Sequence, residues 1–352
     1  MVDTQLLNTI RALPKVELHR HLEGSVRLQS LIDIALEYGI EMPEYDVETL
    51  RPFVQMMPDE PRNWQHFLAK FQTLRQFYRS PEVIQRVTRE VIADAAADNI
   101  RYLELRFTPR ALSNIINCSY HEVVSWVCQV ASAAAQDYDI QVRLILSMNR
   151  HESVEIGEEV LQAAIDHCDQ GVVAVDLAGN EQSFSARPFH SVFARAREAG
   201  LGVTIHAGEW GGAENVRDAV EHLSAVRVGH GVRLLEDPAL LPLLIERNVV
   251  LEVCPTSNVQ SGVVADFNSH PLPQLIRQQV RATLNTDDPL VSNITLSDEI
   301  ERAITYMGLT LEQVKELTLV AAQAAFLPEP ERAKLVAKFE AWFSSDTAPA
   351  IR

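Results

Sequence analysis

The 352-residue sequence predicts an α/β protein folded as one (β/α)8 TIM barrel, and three observations lead to this prediction. Short apolar runs alternate with segments of helical periodicity, which is typical of a parallel sheet buried on both faces. Eight such strand–helix units can be counted, the number that closes a barrel. No G-x-G-x-x-G motif follows the first strand, which disfavours the alternative of an open, doubly wound sheet.

Each element of the barrel has its own sequence signal. The periodicity predicts a helix over residues 4–12, helices over 28–98 between the first two strands, and extra helices over 296–345. The 28–98 stretch is long for a single crossover and is a candidate lid, and no linker divides the chain, so we expect one domain over residues 1–352. The predicted strands lie near residues 16–19 and at 100–107, 142–148, 172–179, 202–206, 226–231, 249–255 and 280–286.

Composition narrows the class of protein. The formal net charge of −17 opposes binding to nucleic acid, which needs a basic surface, and fits a neutral or cationic small-molecule partner. Four scattered cysteines without a C-x-x-C pair disfavour a disulfide framework or a thiolate metal site. The N-terminus does not read as a signal peptide, and no run approaches the ~20 apolar residues of a membrane span. We expect a cytoplasmic enzyme that binds neither nucleic acid nor membranes; the sequence does not indicate its oligomeric state.

The stretch VTIHAGEWGG, residues 203–212, is the centre of the predicted site. A β-rich run ends on His206, and Glu209 follows after two small residues. In a (β/α)8 barrel the active-site side chains lie where the strands end at the C-terminal face. This stretch therefore presents a metal ligand and a proton carrier at that rim, although a lone His-x-x-Glu is more often accidental than catalytic.

Other predicted strands also end on residues that can bind a metal or carry a proton. His19 and His21 are two residues apart, so an extended backbone directs both imidazoles to the same side. With His206 and Asp287 they supply three nitrogens and one oxygen, a ligand set that suits Zn²⁺. A catalytic zinc activates water at neutral pH. The other candidate positions at strand ends are Gly179, Glu209, His230 and Asp288.

Each of these groups also has a purely structural explanation. Asp287 and Asp288 precede Pro289, where they can serve as a helix N-cap and its dipole-favoured neighbour. His230 stands between two glycines, as a turn residue does, and Glu209 can simply be solvated. Their joint placement at the ends of predicted strands favours the functional interpretation.

The chain resembles the adenosine deaminase family of the amidohydrolase superfamily. The resemblance rests on motifs in family order from residue 14 to 289: PKVELHRHLEG, ELRFTP, DLAGNE, HAGE, GHGV, CPTSN and LNTDDP. It implies zinc-dependent hydrolytic deamination of a 6-aminopurine nucleoside, foremost adenosine or 2′-deoxyadenosine, to inosine or 2′-deoxyinosine plus ammonia. It also implies one Zn²⁺ per chain, held by His19, His21, His206 and Asp287.

The resemblance further implies roles for the remaining residues. Glu209 is the proton shuttle facing purine N1, and we expect its surroundings to raise its pKa so that it is protonated when the substrate binds. His230 orients and helps to deprotonate the attacking water. Asp288 hydrogen-bonds N7, and the backbone N–H of Gly179 faces N3. FLAKF at 67–71 resembles the hydrophobic gate of the family, which makes Trp64, Phe67 and Leu68 candidates for covering the substrate.

One departure leaves the substrate open. Many adenosine deaminases have Asp two positions after the second histidine, where it contacts the ribose; here the residue is Glu23. Related adenine deaminases often show H-x-H-L-E-G, so Glu23 favours the free base, whereas Ser25-Val26-Arg27 and Arg106 look more like nucleoside enzymes. Aminodeoxyfutalosine is a third possible substrate.

Two other classes compete with the deaminase interpretation. A binuclear amidohydrolase would place a bridging lysine at the end of the fourth strand, and VVAVDLAG contains none, which favours a single metal. A non-catalytic binding protein on this scaffold tends to lose a ligand or the proton carrier. Here all four ligands remain, together with Glu209, His230 and Asp288.

Overall fold

The computed structural model describes residues 4–42 and 45–344, and it confirms the predicted barrel. Eight parallel strands are hydrogen-bonded in sequence order. Their ends agree with the predicted strands to within about two residues, inside the usual uncertainty of such boundaries. The strands are β1 (Lys15–His21), β2 (Ile100–Phe107), β3 (Gln141–Asn149), β4 (Val172–Ala178), β5 (Gly202–Ala207), β6 (Arg227–His230), β7 (Val250–Val253) and β8 (Arg281–Leu284).

The barrel closes between its first strand and the segment that follows its last. The backbone N–H of Asp287 donates to the carbonyl of His19 at 3.0 Å, and the N–H of His21 donates to the carbonyl of Asp287 at 2.8 Å. Nearby, Asn285 Oδ1 accepts from the N–H of Leu18 at 2.9 Å. Closure thus brings together backbone segments that carry three of the four predicted metal ligands.

Helices cover the outside of the barrel, and the predicted insertion after the first strand is helical. Asn63 caps α4 by accepting from the N–H of His66, and Ser80 caps α5 by accepting from the N–H of Val83, with Pro81 in the first turn. Among the described residues, no helix is both long and apolar enough to cross a bilayer. The helices up to β2 are α1 (Thr4–Ala12), α2 (Leu28–Tyr38), α3 (Val47–Val54), α4 (Trp64–Leu74) and α5 (Pro81–Ala97).

The later helices follow the alternating pattern and then form the predicted C-terminal group. α16 packs on β8 and β1, and Phe326 beyond it lies 3.7 Å from the Arg227 guanidinium, ring centroid to Cζ. These helices are α6 (Pro109–Ser113), α7 (Tyr120–Asp137), α8 (Val154–Asp166), α9 (His190–Glu198), α10 (Ala213–Glu221), α11 (Leu241–Glu246), α12 (Pro255–Gln260), α13 (Leu272–Arg277), α14 (Pro289–Ser292), α15 (Leu296–Met307), α16 (Leu311–Ala324) and α17 (Glu329–Ser344).

A layer of buried charges lies inside the barrel. Glu252 on β7 accepts from Arg106 at 2.7 Å and from Arg227 at 2.6 Å. Arg227 also pairs with Glu104 at 2.6 Å, and Glu104 accepts from the hydroxyl of Tyr102 at 2.7 Å. These side chains are at most 1% exposed, so their charges are tolerated only because they are paired.

We expect Arg227→Met to lower the free energy of unfolding by roughly 3–5 kcal/mol, because it leaves the buried carboxylate of Glu104 without its cation and leaves Glu252 with Arg106 alone. Urea unfolding of the wild type and the variant measures this change. Arg281→Met on β8, two strands away, is the matched control: Arg281 donates to the exposed Gln323 at 2.9 Å, and we expect a change within about 0.5 kcal/mol. Equal urea midpoints for the Arg227 variant and the wild type would show that the barrel does not need this cation.

Candidate active site

The four predicted metal ligands converge on one point. Their ligand atoms all lie within 4.8 Å of one another. Asp287 Oδ1 is 3.2 Å from His19 Nε2 and 3.3 Å from His21 Nε2, and the Nε2 atoms of His21 and His206 are 3.3 Å apart. Ligand atoms around a tetrahedral zinc with bonds of about 2.05 Å are about 3.3 Å apart. His19 Nε2 is buried without a hydrogen-bond partner, so the residues present fit a four-coordinate metal ion.

Two buried carboxylates orient the histidine ligands. His19 Nδ1 donates to Glu252 Oε2 at 2.8 Å, and His206 Nδ1 donates to Asp176 Oδ1 at 2.9 Å. Burial alone would raise the pKa of Glu252, but the Arg106 and Arg227 guanidinium groups hold that pKa well below its usual value. Burial likewise acts against ionisation of Asp176, and His206 and Arg106 together lower its pKa. Carboxylate acceptors place the ring proton on Nδ1 and direct the Nε2 lone pair to the metal position.

The loop after β5 is held by a single carboxylate. Glu181 accepts from the backbone N–H groups of Gly208 at 3.1 Å, Glu209 at 2.6 Å and Gly211 at 2.5 Å. Gly208 has φ +64°, where a side chain would also meet Val216 at 2.5 Å, so the turn requires glycine. This clamp fixes the backbone of the turn that carries Glu209.

Glu209 is placed so that it keeps its proton. Its side chain is buried, and burial, followed by the negative charges of Asp287, Glu181 and Asp288, raises its pKa well above the usual value. This agrees with the expectation from the sequence. A protonated carboxyl at the rim of the barrel can donate a proton to a bound group.

His230 ends β6 beside this carboxyl. Its Nε2 lies 3.6 Å from Glu209 Oε2 and 4.0 Å from Asp287 Oδ2. Burial lowers the pKa of His230 well below the usual value, so the ring is neutral. His230 and Asp287 have φ angles of +61° and +62°, a backbone conformation that non-glycine residues rarely adopt and that clusters at functional sites.

One cavity is bounded by the metal ligands on one side and the helical insertion on the other. Trp64 alone among the predicted residues near the substrate does not line this cavity; it stacks on Trp210, which does, with ring centroids 5.9 Å apart. The prediction that Trp64 covers the substrate stays a prediction, and the contact of Trp64 with the cavity wall is its stacking on Trp210. The predicted residues that do line the cavity are His21, Glu23, Phe67, Leu68, Gly179, His206, Glu209, His230, Asp287 and Asp288.

Two further acids face the same cavity. Glu23 Oε1 accepts from the N–H of Thr108 at 2.7 Å, whereas its Oε2 is buried without a partner. Asp288 Oδ1 is also buried and unpartnered. Burial raises the pKa of both groups, and the charge of Asp287 raises that of Asp288 further. A Cβ on Gly24 would lie 1.8 Å from Asp288 Oδ1, so the glycine makes room for this carboxyl.

Comparison with known proteins gives the family. A sequence profile described as adenosine deaminase matches residues 14–342. An adenosine deaminase of Klebsiella pneumoniae is 38% identical over 325 residues, which are 92% of this chain and 97% of that protein. The chain belongs to the adenosine deaminase family.

Solved structures agree with this membership of the adenosine deaminase family. An adenine deaminase from Arthrobacter aurescens superimposes with a TM-score of 0.87 at 26% identity, covering 95% of this chain and 100% of that one. An amidohydrolase from Burkholderia ambifaria with bound Zn superimposes with a TM-score of 0.89 at 25% identity, covering 98% of this chain and 94% of that one.

The structure places both arginines of the nucleoside-like motifs away from the cavity. Arg106 is fully buried inside the barrel against Glu252 and does not line the cavity. Arg27 pairs with Asp94 at 2.6 Å on the surface. Neither arginine is among the residues that line the cavity, so no contact there accounts for their resemblance to nucleoside enzymes.

Sequence reasoning missed several residues of the site. Asp176 and Glu252 interrupt otherwise apolar strands, and a charge in such a strand has to be paired, which was the available signal. The clamp residue Glu181 gave no comparable signal beyond its place in DLAGNE. The cavity-lining residues that were not predicted are Phe71, Arg75, Thr108, Asn149, Ala178 and Trp210.

A second group of metal-ligand types adjoins the first. Ligand atoms of His230, Cys254 and Asp287 also lie within 4.8 Å of one another. Burial, reinforced by the charge of Asp287, raises the pKa of the Cys254 thiol well above its usual value, and this thiol donates to the Glu252 carbonyl at 3.5 Å. A protonated thiol is a poor metal ligand, so the first group is the better metal site.

We expect Asp176→Asn to weaken the affinity for Zn²⁺ by 10- to 100-fold, because the amide no longer fixes the ring of His206. Competition with a chromophoric chelator measures the affinity directly. Ser147→Ala is the matched control, since Ser147 Oγ donates to the other Asp176 oxygen at 2.8 Å and does not contact His206. Equal Zn²⁺ affinity in Asp176→Asn and wild type would contradict the orienting role.

Proposed function

We propose that this chain hydrolyses adenosine and 2′-deoxyadenosine to inosine and 2′-deoxyinosine plus ammonia, with one Zn²⁺ per chain. Membership of the family makes it a hydrolase that acts on C–N bonds. The observation that carries the proposal is that a protonated carboxyl, Glu209, and a four-ligand metal cluster face the same cavity.

Zn²⁺ is supported by the tetrahedral spacing of three nitrogens and one oxygen and by the Zn bound to the Burkholderia ambifaria relative. A bound zinc lowers the pKa of water and so supplies a nucleophile at neutral pH. His19, His21, His206 and Asp287 would hold it.

Glu209 supplies the proton that the reaction needs. When water adds to C6 of the purine, the ring loses aromaticity and electron density moves onto N1. A carboxyl that protonates N1 during this attack stabilises the transition state more than the bound substrate, which raises kcat. The proton of the C6 hydroxyl then passes to the amino group, which leaves as ammonia, and the other proton of the added water restores the Glu209 carboxyl, while the product keeps a proton on N1.

The base is recognised by donors that match its lone pairs. N7 of adenine is only an acceptor, and the raised pKa of Asp288 keeps a proton on that carboxyl which it can donate to N7. The backbone N–H of Gly179, a residue that also lines the cavity, would face N3. Both contacts orient C6 towards the metal position.

Although the H-x-H-L-E-G pattern favours a free base, the position of Glu23 in the structure favours a nucleoside. Its unpartnered, buried Oε2 needs a hydrogen-bond partner once the substrate excludes water, and a ribose hydroxyl can provide one where adenine alone leaves it unmatched. Deamination of adenine is the second candidate, supported by the similarity to the Arthrobacter aurescens adenine deaminase. Aminodeoxyfutalosine, an adenosine-like molecule, remains the third.

The deciding experiment is turnover of the zinc-loaded protein on adenosine, 2′-deoxyadenosine, adenine and aminodeoxyfutalosine, followed by ultraviolet absorbance. We expect the two nucleosides to react fastest. In Glu209→Gln we expect unchanged zinc content but a kcat lower by at least about 10²- to 10⁴-fold, because an amide cannot deliver the proton. Preference for adenine would transfer the proposal to the free base. No turnover with zinc bound would favour a non-catalytic binding protein.

The helical insertion over residues 28–98 acts in this proposal as a lid. Phe67 on α4 is buried and lines the cavity with Leu68. We expect Phe67→Ala to raise KM roughly tenfold with a smaller loss in kcat, because the ring contributes apolar contact to bound substrate. Steady-state kinetics measures both constants, and Leu36→Ala at a 62% exposed position on α2 is the control. A fall in kcat with unchanged KM would mean instead that Phe67 completes the catalytic geometry on closure.

A further inference from the structure

A chain of buried hydrogen bonds runs from the start of α13 to His230. The backbone N–H of Leu272, in the first turn of that helix, donates to His270 Nδ1 at 3.1 Å. His270 Nε2 lies 3.4 Å from Asn258 Oδ1, and Asn258 Nδ2 lies 3.1 Å from His230 Nδ1. Asn258 is fully buried and His270 is only 4% exposed.

The direction of every bond in this chain follows from its first donor. A backbone N–H can only donate, so His270 Nδ1 is an acceptor. Burial lowers the pKa of His270 to about 3, so the ring is neutral and its single proton lies on Nε2. That N–H requires the amide oxygen of Asn258 opposite it, and the Asn258 amide nitrogen must then donate to His230 Nδ1.

We propose that Asn258 and His270 are positioning residues that hold His230 as the Nε2–H tautomer, so that His230 serves the reaction as a hydrogen-bond donor. Because Nδ1 accepts the hydrogen bond from Asn258, the ring proton of His230 lies on Nε2, the atom next to Glu209 and Asp287. This inference rests on the proposed deamination and deepens it.

The inference changes the role that the family resemblance implies for His230. A ring that helps to deprotonate water needs a lone pair on the nitrogen facing the cavity. The hydrogen bond from Asn258 to Nδ1 leaves the ring proton on Nε2, so Nε2 has no lone pair for this task. As a donor, His230 instead orients the attacking oxygen and stabilises negative charge on it without taking up a proton. Neither Asn258 nor His270 lines the cavity, so both act only through His230.

The tautomer can be observed directly in the zinc-loaded protein. Histidine labelled with ¹⁵N gives different side-chain shifts for protonated and unprotonated ring nitrogens, and the signals missing from His230→Gln identify His230. We expect a protonated Nε2 and an unprotonated Nδ1. A protonated Nδ1, in either a neutral or a cationic ring, overturns the proposal.

Asn258→Asp tests the consequence for catalysis, because a carboxylate of nearly the same shape can only accept a hydrogen bond. It draws the His230 proton to Nδ1 and reverses the tautomer. We expect kcat on adenosine to fall by at least about 10²-fold, the loss typical of one well-placed donor, with a smaller change in KM. An unchanged or higher kcat would mean that His230 acts as a base through Nε2, and this overturns the proposal.

Asn268→Asp is the matched control, since it adds the same charge at an exposed position two residues before His270 and should keep wild-type kinetics. The NMR experiment reads the wild-type tautomer, so that reading does not depend on the folding of Asn258→Asp. It also separates the two proposals. If the wild type deaminates none of the purines tested, the proposed function fails, whereas the spectrum still decides the tautomer.

Discussion

The carboxylate of Glu252 is the group on which most of this structure depends. It joins Arg227 near the C-terminal helices, Arg106 inside the barrel and His19 at the metal site. The negative charge is tolerable in the core only because two guanidinium groups neutralise it, and both its oxygens are fully used. The carboxylate whose charge the two arginines balance also orients the metal ligand His19. The interior of the barrel and the chemistry at its rim therefore depend on one another.

Neighbouring charges divide the buried acids of the barrel into two kinds. Glu252 lies beside arginines, and its pKa is lowered, so it accepts hydrogen bonds as an anion. Burial raises the pKa values of Glu209 and Asp288, and neighbouring carboxylates raise them further, so each can donate a proton. Two glutamates, Glu252 and Glu209, therefore have opposite roles because their surroundings differ. In the proposed deamination Glu252 orients a metal ligand and Glu209 supplies a proton.

The sequence predicted the strands and the metal ligands because both follow from local pattern. Apolar runs mark strands, and a histidine or aspartate directly after such a run is carried to the C-terminal rim once the barrel forms. Side-chain direction and pairing depend on distant residues, which is why the sequence did not show that Arg106 is an internal counter-ion of Glu252. The stacking of Trp64 on Trp210 was not predicted for the same reason, since Trp210 comes from another loop. The hydrogen bonds from His270 through Asn258 to His230 depend on which atom of each side chain donates, and the motif CPTSN alone does not predict this.

Asp287 shows why fold and metal site are tied together. Its backbone closes the barrel against β1 on either side of Arg20, between the two histidines of that strand, while its side chain contacts both imidazoles. A φ of +62° is the conformation that allows the backbone and the carboxylate to do this at one position. Because β1, β5 and the segment after β8 each contribute ligands, a metal ion that binds the folded chain better than the unfolded one stabilises the closure of the barrel itself. The backbone conformation at Asp287 is therefore maintained both by the hydrogen bonds of the sheet and by the ligand geometry.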